Sequence, residues 1–160
     1  MSDQTSTAPA CVVERVFDAP VDLIWQMWTD PNHFKSWYGP KGFTVPVAEI
    51  DVRVGGKHLF CMQSPDGKMK MWSTGEFTEL VPNERLVFTD SMADENGNVV
   101  SPQAMGMPEG YPQTTLVTVT LERLGEGQTK MVLTHEGVPA QAAGGWSQAF
   151  EKMAELVSAL

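Results

Sequence analysis

Two spacings divide this chain. Through its middle, apolar and polar residues alternate with the period of two that a half-buried strand requires. Residues 114–124, TTLVTVTLERL, do so most cleanly: Val117, Val119 and Leu121 face one way, Thr118, Thr120 and Glu122 the other. Residues 129–136 put Met131, Leu133 and His135 on one face, and residues 57–63 set His58, Phe60 and Met62 against Leu59, Cys61 and Gln63. The segment 11–17, CVVERVF, is β-branched and bounded by turn signals, and predicts a first strand. Residues 43–54, 69–81 and 85–91 complete the set. The inward parity of 69–81 stays open around Gly75, where a bulge is expected.

Towards the end of the chain the period changes. Beyond Gly144-Gly145, Trp146, Phe150, Met153, Val157 and Leu160 recur at steps of four and three, an apolar seam along one side of a helix. Ser147, Gln148, Glu151, Lys152 and Glu155 fall on the side left for water. Near the start, residues 18–40, DAPVDLIWQMWTDPNHFKSWYGP, hold two short helices back to back. Pro20 and Pro31 sit where a first-turn residue has no N–H to lose. Val21, Ile24, Trp25 and Trp28 give the first helix an aromatic face; the second offers Phe34 and Trp37 before Gly39-Pro40 stops it. That much aromatic surface on two short helices needs a broad concave partner, which points to a fold with an internal cavity. Strand, two short helices, hairpin-linked strands and one long helix make an α+β order. The long helix can bury its seam only on the concave face of the sheet.

Turn chemistry punctuates the strands at Gly55-Gly56, where a tight hairpin is expected, at Ser64-Pro65-Asp66-Gly67, at Pro82-Asn83 and at Gly125-Glu126-Gly127. Asp51 and Arg53 read as a pair bracing the first of these. Residues 91–113, SMADENGNVVSPQAMGMPEGYPQ, are too long for a simple hairpin connection. They are either a solvated excursion or a lid, with Met105, Met107 and Tyr111 as adaptable apolar contacts.

The 160 residues suffice for one domain with a proper core, expected over residues 11–160 behind a disordered polar tail at residues 1–10. The formal charge is −9, from 11 basic and 20 acidic residues, and the basic ones are scattered. A nucleic-acid binder needs a basic stripe, and an anionic membrane would repel this chain, so neither partner is expected. No apolar run approaches the roughly 18 residues of a membrane helix, and the first residues lack the pattern of a signal peptide. A cytoplasmic location is the expectation. Cys11 and Cys61 stand far apart, without metal-ligand spacing, and read as buried thiols.

A series of local words carries a family resemblance. RVFDAPVDLIWQMWTDP and FKSWYGP are followed by EIDVRVGGKHLFCM, SPDGK, GEFTELVPNERLVFTDS, LVTVTLE, LTHEGVP and GGWSQAFEKMAEL. In this order, over nearly the whole chain, they resemble the START-like (SRPBCC, helix-grip) superfamily, and within it the activator of Hsp90 ATPase homologue, C-terminal-domain type. The resemblance implies a curved antiparallel sheet of about seven strands around the C-terminal helix, with a hydrophobic tunnel between them that holds a small apolar ligand. Members range from lipid carriers to aromatase/cyclases and chaperone co-factors, so the fold alone does not fix a function.

No nucleophile elbow, phosphate loop, zincin or dinucleotide motif is present. His33, His58 and His135 are the only histidines and share no local ligand spacing, so neither a metal nor a cofactor is expected. His58 stands where the resemblance implies an aromatic on the cavity side. Glu14 and Glu49 lie on strands and are expected to face solvent. The residues expected to line the tunnel are Trp37, His58, Phe60, Met62, Phe88, Met105, Met107, Met131, His135 and Phe150, with His58 and His135 facing one another across open space. The leading function is cytoplasmic binding of a small hydrophobic or lipid-like molecule, without chemistry of its own. The alternative is an enzyme of the cyclase or dehydratase kind using a polar group in the cavity. A chaperone co-factor comes third, as it would lack the N-terminal domain such activators carry. A homodimer is left open.

Overall fold

The computed structural model describes residues 10–160, apart from Pro108 and Tyr111 and the side chain of Met105. Its strands are β1 (Ala10–Phe17), β2 (Thr44–Ile50), β3 (Lys57–Gln63), β4 (Lys70–Val81), β5 (Arg85–Ala93), β6 (Thr114–Gly125) and β7 (Gln128–Glu136). They form one antiparallel sheet in the order β1-β7-β6-β5-β4-β3-β2. Helices α1 (Val21–Thr29) and α2 (Pro31–Trp37) follow β1, and α3 (Ala143–Ser158) follows β7. The sheet curls into a half-barrel around α3, the helix-grip α+β architecture. Because neighbouring strands are mostly joined by hairpins, only β1 travels far for its partner: Ala10 pairs with Glu136 and Phe17 with Thr129.

The period of two decides what the sheet buries. Phe60 of β3, Leu86 and Phe88 of β5, Val117, Val119 and Leu121 of β6, and Met131 and Leu133 of β7 enter one core. The helices complete it with Ile24, Met27, Trp28, Phe34, Trp37, Phe150, Met153 and Val157.

Several details depart from the pattern. In α1 Met27 is fully buried and Trp25 only half-buried, because the buried stripe runs Val21, Ile24, Met27, Trp28. Pro20 is the N-cap of α1 rather than a residue of its first turn, and the Asp18 carboxylate accepts from the Gln128 amide at 2.9 Å. Asp30 does cap α2, accepting from the Asn32 N–H at 2.9 Å, with Pro31 in the first turn. Ala149 joins the seam of α3, while Leu160 lies beyond the helix and is 64% exposed.

The Gly55-Gly56 pair ends a longer link between β2 and β3 rather than making a two-residue turn. A Cβ on Gly56 would stand 2.1 Å from the Asp51 carbonyl oxygen, so no other residue fits this path. The slip in β4 falls between Phe77 and Glu79, not at Gly75. Gly75 answers a different demand: its Cβ would sit 1.8 Å from the Thr89 carbonyl oxygen.

Candidate functional site

The inner half of the space between α3 and the sheet is solid. Trp28 stands at its centre, with ring centroids 4.7 Å from Trp37, 6.2 Å from Phe150, 6.3 Å from Phe88 and 6.4 Å from Phe34. Its indole N–H meets the Met131 Sδ at 3.2 Å, and the Trp37 indole donates to the Met27 carbonyl at 2.8 Å. Both polar edges are thus satisfied inside the cluster, which lets the rings bury completely. Trp37, Phe60, Phe88, Met131 and Phe150 all belong to this packed core and do not line the cavity described below. They point inward as their periodicity requires, but their bulk fills the space into which they point.

The outer half is hollow. A cavity of about 800 Å³ opens where the first turns of α3, residues 38–40, residues 137–142 and Met107, Glu109, Gly110 and Pro112 come together. Its principal walls are Tyr38, Met62, Met107, Val138, Trp146 and Ala149. Of the ten residues expected to line it, Met62, Met107 and His135 do so; the Met105 side chain, like Tyr111, lies outside the described residues. Tyr38, Val138 and Trp146 are the walls that sequence reasoning missed. The signal lay in the small residues of α3: Gly145 and Ala149 leave room beside Trp146 that larger side chains would fill.

Two loops are held around this opening. Lys152, which periodicity places in solvent, turns its ammonium onto the carbonyls of Tyr38 and Pro40 at 3.2 Å and of Phe43 at 3.4 Å. Burial lowers its pKa, while the three acceptors consume its donors. Residues 38–43 are thereby fastened to α3. On the other side, the long connection after β5 begins as an ordered extension of the sheet: Ala93 bridges Val99 and the Val100 N–H reaches the Met92 carbonyl at 2.9 Å. The Asp94 carboxylate accepts from the N–H groups of Asn96 and Asn98, which hold its pKa below the usual range. Further along, Met107, Glu109, Gly110 and Pro112 stand at the cavity wall.

The histidines do not face one another over open space. They flank Asp90. His135, 8% exposed, receives the Trp146 indole N–H at Nδ1 (3.2 Å), and its Nε2 lies 2.9 Å from the Thr115 hydroxyl oxygen. An indole can only donate, so Nδ1 carries no proton and the ring is neutral with its hydrogen on Nε2. The Thr115 hydroxyl in turn donates a hydrogen bond to the Asp90 backbone carbonyl at 3.1 Å. Burial lowers the His135 pKa, against a weaker upward pull from the Asp90 charge.

His58 is 2% exposed and absent from the cavity wall. Its ring stacks on Phe60 at 4.3 Å, its Nε2 stands 3.4 Å from the Asp90 Oδ1, and its Nδ1 is buried without a partner. The Tyr38 phenol also comes near. Its pKa is raised by burial and then by the Asp90 charge, against a downward pull from the Ser73 side chain. Beside this group lies a second, smaller chamber of about 60 Å³, bounded by Asp90, Gln113, Thr115 and His135 among others; it shares Pro112, His135 and Val138 with the large cavity.

Glu14 and Glu49 are exposed, and Asp51 pairs with Arg53 at 2.8 Å on the surface. Among the described residues, no group of three His, Cys, Asp or Glu side chains is placed to hold a metal ion, and no helix is long and apolar enough to cross a membrane.

Comparisons with known proteins extend this geometry. A crystal structure of a protein from Chromobacterium violaceum is 29% identical, with a TM-score of 0.77 over 92% of this chain and 96% of that one. A solution structure from Arthrobacter aurescens is 28% identical, with a TM-score of 0.75 over 99% and 91%. An AHSA1 protein from Silicibacter pomeroyi, 19% identical, shares the fold with a TM-score of 0.72 over 94% and 98%. Among curated proteins none matches. The model of the activator of Hsp90 ATPase homolog 1-like proteins matches residues 18–158, so that β2 to β7 and all three helices fall within it, and the chain belongs to that family.

Proposed function

We propose that this protein binds a small hydrophobic or lipid-like molecule in the cytoplasm and releases it unchanged. The observation that carries this reading is the cavity of about 800 Å³ at the outer half of the helix–sheet space, walled by methionine, aromatic and small residues. Small-molecule sites span roughly 300–1,000 Å³ and combine apolar walls with a few polar groups that fix orientation. His135 stands on this wall with both ring nitrogens engaged, so it offers a ligand a fixed imidazole surface rather than a free donor or acceptor.

Nile red, a neutral apolar dye, tests the reading by its fluorescence. We expect saturable binding, weakened at least about tenfold by Ala149→Leu, which places extra carbon in the cavity. Native mass spectrometry of the protein from its own source should show a co-purifying apolar molecule. Dye binding indifferent to Ala149→Leu would place the dye elsewhere, and no binding at all would sink the reading.

The presence of His135 on the wall also favours a second reading, a cyclase or dehydratase in which one polar group moves a proton. His135 would have to release either Trp146 or Thr115 to do so. His135→Gln separates the two readings: a binding module keeps its ligand, whereas an enzyme keeps its ligand and loses turnover of a polyketide-like substrate.

A further inference from the structure

We propose that the ligand carries a small hydrogen-bond-donating head, a primary ammonium or hydroxyl, and that Asp90 anchors it in the smaller chamber. This rests on the binding reading above and names the ligand class and the residue that selects it. Among the described residues, the Asp90 carboxylate has one hydrogen-bonding contact, His58 Nε2 at a long 3.4 Å, and no lysine or arginine pairs with it. Its side chain is 20% exposed, and Asp90 is among the residues that bound the chamber of about 60 Å³. A partly buried carboxylate with spare acceptor capacity favours a donor, and a cationic one most.

The surroundings reject the opposite polarity. No lysine or arginine lines either chamber among the described residues, and Glu109 stands at the wall of the larger one. The ammonium of Lys152 is spent on the carbonyls of Tyr38, Pro40 and Phe43. Where the chain enters α3, the Ala142 N–H is bonded to the Pro139 carbonyl and the Ala143 N–H to those of Ala140 and Gln141. His135 is neutral, with its one N–H given to Thr115.

Size narrows the class further. At about 60 Å³ against about 800 Å³ for the large cavity, the smaller chamber favours a compact head, a primary ammonium or a hydroxyl, over a bulkier trimethylammonium. The apolar body of the same molecule would lie in the large cavity, past the shared wall of Pro112, His135 and Val138.

Four probes with one ten-carbon chain test this by titration calorimetry, below their micelle concentrations and in physiological salt: decylamine, decanol, decyltrimethylammonium and decanoate. Decylamine should bind tightest, about tenfold or more above decanoate, with decanol between, as expected for gaining one charge-assisted hydrogen bond. Decyltrimethylammonium should gain nothing over decanol, which separates the chamber from simple attraction to an acidic protein. Asp90→Asn should bring decylamine down to the level of decanol, whereas Glu122→Gln, exposed on β6 and outside both chambers, should leave the order unchanged. Equal or tighter binding of decanoate, an equal gain for the trimethylammonium, or a decylamine preference that survives Asp90→Asn would overturn the anchor while leaving the binding reading intact. Failure of all four probes would overturn the binding reading itself. The ranking on the unmodified protein decides the matter even if Asp90→Asn does not fold.

Discussion

The two halves of α3 face the same sheet and meet opposite conditions. Its second half presents Phe150, Met153 and Val157, all buried against Trp28, Trp37 and the strands, and leaves no space. Its first half presents Gly145 and Ala149 beside a half-buried Trp146, and there the cavity opens. Fold and hand are the same; side-chain volume along one helix changes. Trp146 marks the border, with its ring 6.1 Å from Trp28 and 5.7 Å from Phe150 on the packed side, and its N–H on His135 towards the hollow one. The lesson is that one amphipathic stripe can serve as core over two turns and as container over the next, because burial and cavity lining ask for the same polarity but for different bulk.

The largest test strikes the packed half. Phe150→Ala should cost about 3–5 kcal/mol of stability, the usual range for a buried phenylalanine, measured by urea unfolding. A loss under about 1 kcal/mol would mean that the packed half relaxes as readily as the hollow one, and the contrast would collapse.

The border is tested by Trp146→Phe, which keeps the ring and removes the donor. It should cost about 1–2 kcal/mol, because His135 Nδ1 loses its partner. It should also change the response to acid. The folded protein holds His135 neutral, with a pKa below the ordinary 6.5, so at slightly acid pH the unfolded chain binds more protons. The stability that His135 contributes is therefore complete above its unfolded value and is lost as pH falls through its folded one. Unfolding measured at about pH 7.5 and about pH 5.5 should show this loss in the natural protein and a smaller one in Trp146→Phe. An undiminished loss would place the acid sensitivity elsewhere.

The smallest effect belongs to the hollow half. A Cβ on Gly145 would find the Pro40 Cγ at 3.8 Å as its nearest neighbour, an ordinary contact. Gly145→Ala should therefore stabilise the helix by about 0.5–1 kcal/mol through lower backbone entropy in the unfolded chain. A destabilisation would show that the cavity wall has no tolerance there, and the volume contrast along α3 would need another cause.

Much of this architecture was legible in the residues, for a physical reason. When one face of a strand is wet and the other dry, period two writes itself into the chain, and the inward sets His58, Phe60, Met62 and Met131, Leu133, His135 could be read directly. What periodicity cannot show is whether the inside is occupied. Phe88 and Met62 both read as inward; one is packed against Trp28 and the other borders empty space, and only the volumes delivered by remote elements decide between them. Lys152 was illegible for a related reason. Its helical position is that of a solvated residue, and the carbonyls that claim it arrive from residues more than a hundred positions earlier. Asp90 escaped notice because its significance lies in having His58 but no lysine or arginine beside it among the described residues, which is a property of the assembled site.

The pairing of β1 with β7 sets a schedule. Ala10 must wait for Glu136, and Phe17 for Thr129, before the first strand has any partner in the sheet. Closing so long a loop costs entropy before any contact repays it, and chains dominated by such pairings fold in milliseconds to seconds rather than microseconds. On the ribosome, β2 to β6 can zip together hairpin by hairpin while β1 stays an unpaired β-branched segment with its hydrogen-bonding edge bare. The sheet is finished only when β7 has emerged, and α3, which follows it, then completes both the packed core and the container in one step.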